Sequence, residues 1–336
     1  MLESKSLWAE KQVLVTGAGG FIGSHLVQWL VRAGANVRAF VRYNSRGDSG
    51  LLRLLDADDQ RAVELISGDL RDVDAVYQAV AGCETVFHLG AVISIPYSYL
   101  HPVETTSSNI TGTLHVLLAC REYDVRRLVH TSTSEVYGTA LRVPIDESHP
   151  LQGQSPYSAS KIGADMLAES FYSTYDLPVV TVRPFNTYGP HQSARAVIPT
   201  IITQALMQDV IRLGSLEPRR DFTYVTDTVR GFLLAAQAES SSVLGEVFNL
   251  GTGKDVSIGT LVAMIQDLVG RDLPVETDIQ RIRPAKSEVG RLISDNGRAR
   301  EFLGWRPTYD LGAGLQETVA WIRDNLPHYR VGRYEI

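Results

Sequence analysis

The sequence predicts a protein of the α/β class, built on a doubly wound parallel sheet with helices on both faces and completed by a smaller C-terminal α/β lobe. Two observations lead to this prediction. In the first half of the chain, short apolar runs alternate with longer amphipathic runs, which is typical of repeated strand–helix units. After about residue 184 the alternation loosens, and prolines and glycines become frequent. We therefore assign 1–183 mainly to the sheet and 184–336 mainly to the smaller lobe, with the two parts interleaved.

Each element follows from its apolar pattern. Runs of apolar and β-branched residues predict strands at Lys11–Thr16, Val37–Val41, Val63–Ser67, Thr85–Leu89, Arg127–Thr131 and Val179–Arg183. Amphipathic runs between them predict helices at Gly20–Ala33, Val73–Ala81, Asn109–Tyr123 and Tyr157–Tyr175. Further along, the pattern predicts a helix at Val197–Met207, a strand near Val247–Leu250 and a helix at Ile258–Val269 that is capped by Ser257.

Composition argues against several classes of protein. The 336 residues are 44% hydrophobic and carry a formal net charge of −6, which gives no support for nucleic-acid binding. The polar start has no signal-peptide core, and no apolar run reaches the roughly 18–20 residues that cross a bilayer, so we expect a cytoplasmic protein that does not enter a membrane. Cys83 and Cys120 form no metal-binding pattern and lie in apolar stretches, which favours buried free thiols and no metal site.

The most specific local motif is a glycine-rich turn between the first strand and the first helix. In the segment Val13-Leu-Val-Thr-Gly-Ala-Gly-Gly-Phe-Ile-Gly-Ser24, the missing β-carbons allow a tight turn and let a pyrophosphate approach the backbone at the helix N-terminus. The alternative is a turn that serves packing alone. The motif indicates a Rossmann-type dinucleotide site, formed by Gly17, Gly20, Phe21, Ile22 and Gly23.

The end of the second strand bears on the choice between NAD and NADP. An acidic residue there would bind the ribose 2′-hydroxyl of NAD, but this segment has none. Arg42 and Arg46 favour NADP, because guanidinium groups match the oxygens of a 2′-phosphate; as solvated loop charges they would leave NAD open. Asp69 is a candidate to bind the adenine amino group or, alternatively, to cap the next helix. With Leu70 and Leu89 it completes the predicted cofactor site.

Tyr157 and Lys161 stand four residues apart at the start of a predicted helix, so they would share one face of it. A nearby ammonium and an oxidised nicotinamide both lower the pKa of a phenol, which makes a phenolate available as a base near neutral pH. The spacing is common by chance, and its meaning comes from its place downstream of the dinucleotide motif. The pair predicts removal of a proton from a sugar hydroxyl.

A polar run follows the fifth strand, at the edge where a doubly wound sheet places its site. Within it, Thr133 is a candidate to hydrogen-bond the reacting hydroxyl. Glu135 is a candidate to remove a proton from the carbon next to a transient ketone, because a glutamate is unusual at a buried position. A surface glutamate at a strand end is the alternative.

Together these motifs resemble those of the extended short-chain dehydrogenase/reductases that act on nucleotide sugars. The resemblance is carried by Thr16-Gly-x-x-Gly-x-x-Gly23, Thr133, Tyr157-x-x-x-Lys161 and Arg183-Pro-Phe-Asn-Thr-Tyr-Gly-Pro190, and it spans about residues 11 to 325. It implies a tightly bound NAD or NADP that is recycled in each turnover. It also implies a nucleotide-sugar substrate and an epimerase or dehydratase activity.

Within this family the chain is most similar to the 4,6-dehydratases, because simple 4-epimerases lack the glutamate found here at position 135. Ser134 and the Val41-Arg42 pair resemble GDP-mannose dehydratases. Two longer segments, 144–156 and 192–200, resemble the N-acetylglucosamine-nucleotide dehydratases of legionaminic acid biosynthesis. The expected substrate is therefore UDP- or GDP-N-acetylglucosamine.

The resemblance implies roles for individual residues. Tyr157 would take the proton of the sugar 4-hydroxyl, with Lys161 tuning it and binding the nicotinamide ribose. Glu135 would remove the C5 proton and assist loss of the 6-hydroxyl as water, either directly or through Ser134 and a water. Asn186 would contact the substrate near its diphosphate.

Two arginines are expected to complete a diphosphate clamp, since guanidinium groups match phosphate oxygens in a fork. For Arg220 the alternative is a structural salt bridge to Asp221 or Asp227. Arg283 is the second candidate, in the segment Arg281-Ile-Arg-Pro284. The resemblance further implies a homodimer, formed through the helices predicted at 109–123 and 157–175, although their apolar residues serve the core of a monomer equally well.

Three functions remain open at this point. The favoured one is a 4,6-dehydratase, and the second is a 4-epimerase or another 4-keto-sugar enzyme in which Glu135 is incidental. The third is a non-catalytic dinucleotide-sensing or scaffold protein on the same fold. Loss of water separates the first two, because epimerisation conserves the mass of the substrate. Intact Thr133, Tyr157 and Lys161 argue against the third.

Overall fold

Seven parallel strands form the central sheet of this computed structural model, which describes residues 7–239, 241–282, 284 and 286–330. The strands are β1 (Gln12–Thr16), β2 (Asn36–Arg42), β3 (Val63–Gly68), β4 (Thr85–His88), β5 (Arg127–Thr131), β6 (Val179–Pro184) and, after four short strands of the second half, β11 (Val247–Leu250). Their order across the sheet is β3-β2-β1-β4-β5-β6-β11. The order reverses between β1 and β4, which opens a crevice at the carboxyl ends of the strands.

Helices cover both faces of this sheet. In the first half, and in the described part of the chain, they are α1 (Phe21–Arg32), α2 (Ala57–Arg61), α3 (Val73–Val80), α4 (Ile95–Leu100), α5 (Pro102–Thr106), α6 (Gly112–Glu122) and α7 (Pro156–Tyr175). In the second half they are α8 (Val197–Met207), α9 (Val225–Gln237), α10 (Ile258–Val269), α11 (Gly297–Phe302) and α12 (Leu311–Asp324). The α/β fold with a doubly wound parallel sheet is confirmed.

Alternating burial explains why the strands form the middle layer. Val13 and Val15 of β1 pack into an apolar cluster on one face of the sheet, and Leu14 between them packs into the cluster on the other face. All three side chains are fully buried. A parallel strand that is covered on both faces needs such an apolar run without polar interruptions, and this is what the sequence pattern shows.

The second half of the chain builds a smaller lobe from short strands. β7 (Asn186–Tyr188) pairs with β10 (Phe222–Tyr224), β8 (Ile211–Leu213) pairs with β13 (Val275–Thr277), and β9 (Arg219–Arg220) lies between β12 (Val256–Ser257) and β14 (Arg291–Leu292). The chain then returns to the main sheet, because β11 pairs in parallel with β6. The second half of the chain therefore contributes to both the smaller lobe and the main sheet.

The predicted elements match the observed ones closely, with two kinds of difference. The helix predicted from Asn109 begins as a π-helical turn at Ser107–Thr111 before α6 starts at Gly112. No element is predicted from the sequence for six of the described helices, α2, α4, α5, α9, α11 and α12, or for the short strands of the smaller lobe. Two of these helices contain a proline near their start, Pro96 in α4 and Pro102 in α5. Each proline occupies the first turn of its helix, where the missing N–H costs no hydrogen bond. Within the described residues, the helices are too short or too polar to span a membrane.

Candidate active site

The glycine-rich turn after β1 has the geometry that its sequence predicts. Gly17 has a φ of +67°, and a β-carbon there would lie 2.8 Å from the Cα of Gly90. A β-carbon on Gly23 would lie 2.3 Å from the carbonyl oxygen of Gly17, so α1 can approach the turn this closely only with glycine. The resulting cradle of backbone N–H groups at a helix N-terminus fits the pyrophosphate of a dinucleotide.

A cleft of about 640 Å³ begins at this turn and runs along the carboxyl ends of the strands. Most residues predicted to act in cofactor binding or catalysis lie on its walls; these are Gly17, Gly20, Phe21, Ile22, Gly23, Arg42, Leu89, Thr133, Ser134, Glu135, Tyr157 and Asn186. A smaller cavity of about 150 Å³ adjoins it and is lined by Asp69 and Leu70. These residues therefore lie in one continuous region of the sheet edge.

Tyr157 lies at the N-terminal end of α7, which a capping box fixes. The Ser155 hydroxyl accepts a hydrogen bond from the Ser158 backbone N–H, and the Ser155 N–H donates back to the Ser158 hydroxyl. The phenol is buried, which raises its pKa, while a hydrogen bond with the Thr133 side chain lowers the pKa. In the chain by itself, Tyr157 is therefore a protonated phenol near neutral pH.

Thr133 begins the short turn that carries Glu135. The Thr133 hydroxyl accepts a hydrogen bond of 3.2 Å from the Glu135 backbone N–H and caps a 3₁₀-helical turn at Ser134–Tyr137. Ser134 is buried, whereas Glu135 is half-buried and lies on the wall of the cleft. A hydroxyl, a phenol and a carboxylate thus line one cleft.

Lys161 lies one helical turn after Tyr157 and is 4% exposed. Its Nζ donates a hydrogen bond of 2.6 Å to the carbonyl oxygen of Thr131. Burial lowers the pKa of the ammonium to about 8, and the negative charge of Asp165 opposes this shift. Sequence reasoning did not identify Asp165, although it continues the spacing of Tyr157 and Lys161 by a further turn.

The end of the cleft near Arg42 carries charges of both signs. Arg42 is largely exposed and forms an ion pair of 3.0 Å with Glu104. Asp69 accepts two hydrogen bonds from the Arg71 guanidinium, which hold the pKa of that carboxyl at about 2. Asp69 does not cap the following helix, because Asp72 does so. Sequence reasoning missed Glu104, which lies far from Arg42 along the chain.

Asp48 is a second residue that sequence reasoning missed at this end. It lies on the cleft wall beside Arg42, in a loop that Asn44 folds by accepting a hydrogen bond from the Asp48 N–H. The loop contacts the glycine-rich turn, because the Leu51 N–H donates a hydrogen bond of 2.9 Å to the Gly19 carbonyl oxygen. The site therefore contains a carboxylate that the end of β2 itself lacks.

The other end of the cleft opens into a cavity of about 360 Å³ in the smaller lobe. Asn186 lines both spaces, and its Nδ2 donates to the Asp221 carbonyl oxygen at 3.3 Å. Arg220 is buried on the cavity wall and lies 3.2 Å from a carboxylate oxygen of Glu288. Arg195 and Arg281 also line this cavity and were not predicted. It is therefore a basic pocket.

The alternative salt bridges proposed for Arg220 do not form. The Asp221 carboxylate accepts hydrogen bonds from the backbone of Thr252, Gly253 and Ser294. The Asp227 carboxylate binds the segment around Thr308. The other predicted clamp residue, Arg283, lies outside the described residues.

Comparison with known proteins identifies the family. A family model described as GDP-mannose 4,6 dehydratase matches residues 14–318. The chain is 33% identical to a dTDP-glucose 4,6-dehydratase of an Actinoplanes species, over 94% of this chain and 98% of that protein. It is also 33% identical to a UDP-glucose 4-epimerase of Mycolicibacterium smegmatis, over 93% of this chain and 99% of that protein.

Solved structures show the same relationship. A dTDP-glucose 4,6-dehydratase from Streptomyces venezuelae with NAD bound superimposes with a TM-score of 0.86 at 30% identity, covering 95% of this chain and 99% of that chain. The protein therefore belongs to the GDP-mannose 4,6-dehydratase family of extended short-chain dehydrogenase/reductases, which groups it with nucleotide-sugar 4,6-dehydratases and 4-epimerases.

Proposed function

We propose that this protein is an NAD-dependent nucleotide-sugar 4,6-dehydratase that converts UDP- or GDP-N-acetylglucosamine into a 4-keto-6-deoxy sugar. The observation that carries the proposal is the presence of Glu135 on the same cleft wall as Thr133 and Tyr157. Oxidation of the sugar at C4 needs the Thr133 hydroxyl and the Tyr157 phenol. Loss of water across C5 and C6 needs a further base, and Glu135 supplies it.

The residues divide the reaction between them. Tyr157 removes the proton of the 4-hydroxyl, which Thr133 orients by a hydrogen bond. A bound nicotinamide would supply the hydride acceptor for C4 and the hydride donor for C6. The 4-ketone acidifies the C5 hydrogen, and Glu135 removes it while the 6-hydroxyl leaves as water, assisted by Ser134. Glu135 passes this proton through Ser134 to the departing oxygen, Tyr157 releases its proton to solvent, and C5 takes up a proton from solvent, so the residues end the turnover as they began it.

Positive charge near Tyr157 decides whether it can act as a base. Burial raises the pKa of the phenol, so the free protein holds it protonated at neutral pH. The Lys161 ammonium and an oxidised nicotinamide both favour the phenolate. Removal of the 4-hydroxyl proton by Tyr157 would therefore depend on bound oxidised cofactor, which must be present before C4 can be oxidised.

The basic cavity of the smaller lobe is the place for the diphosphate and nucleoside. Asn186 lies between this cavity and the cleft, so a nucleotide sugar that spans both would pass it with its diphosphate. Arg195, Arg220 and Arg281 offer guanidinium groups to the phosphates. The N-acetyl group and the choice between UDP and GDP rest on the sequence resemblance.

For the cofactor we favour NAD over NADP. The structural relative from Streptomyces venezuelae has NAD bound. In this chain, Glu104 already neutralises Arg42, the arginine that argued for NADP. Asp48 adds a half-exposed carboxylate on the same wall, paired with Arg53 at 3.3 Å. This carboxylate would accept hydrogen bonds from ribose hydroxyls and repel a 2′-phosphate.

The Asp48→Asn variant is expected to shift the cofactor preference towards NADP. Removing the carboxylate charge removes the repulsion of a 2′-phosphate, and we expect the ratio of the Kd values for NADP and NAD to fall by about tenfold, or about 1.4 kcal/mol. Calorimetric titration of cofactor-free protein measures both constants. Asp58→Asn, an exposed carboxylate paired with Arg61, is the matched control. An unchanged ratio would remove Asp48 from the account.

The second candidate function is a 4-epimerase, favoured by the 33% identity to the Mycolicibacterium smegmatis enzyme. Such an enzyme would also use Thr133, Tyr157 and Lys161. It has no step at C5, and Glu135 would then be a bystander. Release of water from the substrate separates the two functions.

We further propose that the enzyme is a homodimer formed through α6 and α7. Leu117 of α6 is fully buried and belongs to the core of one chain, but Met166 of α7 is 45% exposed. Tyr175 at the end of α7 and Tyr123 beside it are similarly exposed apolar groups. The proposal rests on the family resemblance, and these side chains are the ones that such an interface would cover.

The Met166→Asp variant is expected to convert the dimer into a monomer, because it would bury charge at the interface. Size-exclusion chromatography with light scattering gives the mass of both forms. Met207→Asp is the matched control, since Met207 is 58% exposed on α8 and lies away from these helices. A monomeric wild-type protein would contradict the proposal.

A further inference from the structure

The end of β5 presents its side chains alternately to two sides, as a strand must. Thr131 and Thr133 alternate with His130 and Ser132. The His130 Nε2 and the Ser132 hydroxyl both contact the carboxylate of Asp165, at 3.0 Å and 2.7 Å. The hydroxyl of Thr133, in contrast, contacts the Tyr157 phenol. The Asp165 carboxylate therefore binds His130 and Ser132, the residues that alternate with Thr131 and Thr133 at the start of the turn that carries Glu135.

Asp165 is held rigidly itself. It is 4% exposed, and the Arg183 guanidinium of β6 donates to the same carboxylate oxygen at 2.9 Å and 3.2 Å. Burial raises the pKa of this carboxyl, but the hydrogen bond from His130 and the charges of Arg183 and Lys161 lower it to about 2. The group is therefore a fixed anion throughout the neutral pH range.

Asp165 and Lys161 hold consecutive residues of the strand end. Lys161 binds the Thr131 carbonyl oxygen, and one turn later Asp165 binds the Ser132 hydroxyl. Thr133 follows directly, so these two bonds fix the backbone that leads into it. The same helix carries Tyr157, so the distance between the threonine hydroxyl and the phenol is set by α7.

We propose that Asp165 is a positioning residue for catalysis, and that it acts through the Ser132 hydroxyl to hold Thr133 and Glu135 in register with Tyr157. The inference rests on the proposed function, because it concerns the placement of the groups that move protons. A displacement of about 1 Å at such a site costs up to about a hundredfold in rate. Binding of the nucleotide at the other end of the cleft does not depend on this register.

The test compares Ser132→Ala, Asp165→Asn and the double variant. Ser132→Ala removes one oxygen and leaves the ion pair between Asp165 and Arg183 in place. We expect each single variant to lower kcat by about tenfold or more, with the KM for the nucleotide sugar changed less than about twofold. The double variant should be no slower than the worse single variant, because both remove the same link.

Ser98→Ala is the control, since this buried serine binds a local carbonyl oxygen in α4 and is expected to keep wild-type kcat. A wild-type kcat in Ser132→Ala contradicts the inference, and so do losses that multiply in the double variant. If Asp165→Asn does not fold, Ser132→Ala decides alone. If wild-type enzyme releases no water from any nucleotide sugar, the proposed function fails first; if it does and Ser132→Ala matches it, the inference alone fails.

Discussion

Replacing Tyr157 with phenylalanine is expected to lower kcat by about 10²- to 10⁴-fold while the protein stays folded and retains its cofactor. The ring is buried at the start of α7, and phenylalanine keeps its volume and its packing. What the variant loses is the oxygen that accepts the proton of the 4-hydroxyl. The C4 hydride cannot then leave, so the block falls on the first chemical step.

The measurement for Tyr157→Phe is the absorbance of reduced nicotinamide after rapid mixing of cofactor-loaded enzyme with substrate. Wild-type enzyme should show a transient signal, and the variant should show none on the same timescale. Tyr77→Phe, which removes a hydroxyl from a half-buried ring of α3 that does not line the cleft, is the control. If Tyr157→Phe reduced its cofactor at the wild-type rate, another group would have to be the base.

The Glu135→Gln variant is expected to stop the release of water while leaving the oxidation at C4 in place. Glutamine preserves the shape of the side chain but cannot accept the C5 proton, so we expect a loss of about 10²- to 10⁴-fold in dehydration. Because the first step survives, the variant should still form reduced cofactor on mixing with substrate. This combination distinguishes Glu135 from Tyr157.

Exchange at C5 measures the role of Glu135 directly. In D₂O, wild-type enzyme should place deuterium at C5 of the product, and Glu135→Gln should leave C5 of recovered substrate unlabelled. Glu301→Gln, on the exposed face of α11, controls for the loss of a surface charge. Near-normal release of water by Glu135→Gln would mean that another group removes the C5 proton.

The sequence predicts the fold well, because the signals involved are local. The run Val13-Leu14-Val15 is apolar on both faces of its strand, and the three glycines of the next turn require close backbone contacts. Such patterns depend on residues within one element. The same holds for Tyr157 and Lys161, whose spacing within one helix fixes their shared face.

Contacts between segments that are distant in the chain cannot be predicted from patterns within one element. Glu104 is separated from Arg42 by two strands and several helices, so its neutralising effect on Arg42 has no local sign. Asp48 reaches the cofactor cleft because its loop folds back on the glycine-rich turn. Asp165 continues the helical spacing of Tyr157 and Lys161, but its partners lie on β5 and β6. Its place beside the turn that carries Glu135 follows from the pairing of these two strands.

Loss of water from the substrate distinguishes a dehydratase from a 4-epimerase, and mass spectrometry of the product detects it. Purified enzyme with its cofactor is incubated separately with UDP-N-acetylglucosamine, GDP-N-acetylglucosamine, GDP-mannose and dTDP-glucose. We expect one of the two N-acetylglucosamine nucleotides to lose one water, with no net change in the cofactor. A product of unchanged mass with inverted C4 would contradict the claim and establish the 4-epimerase instead.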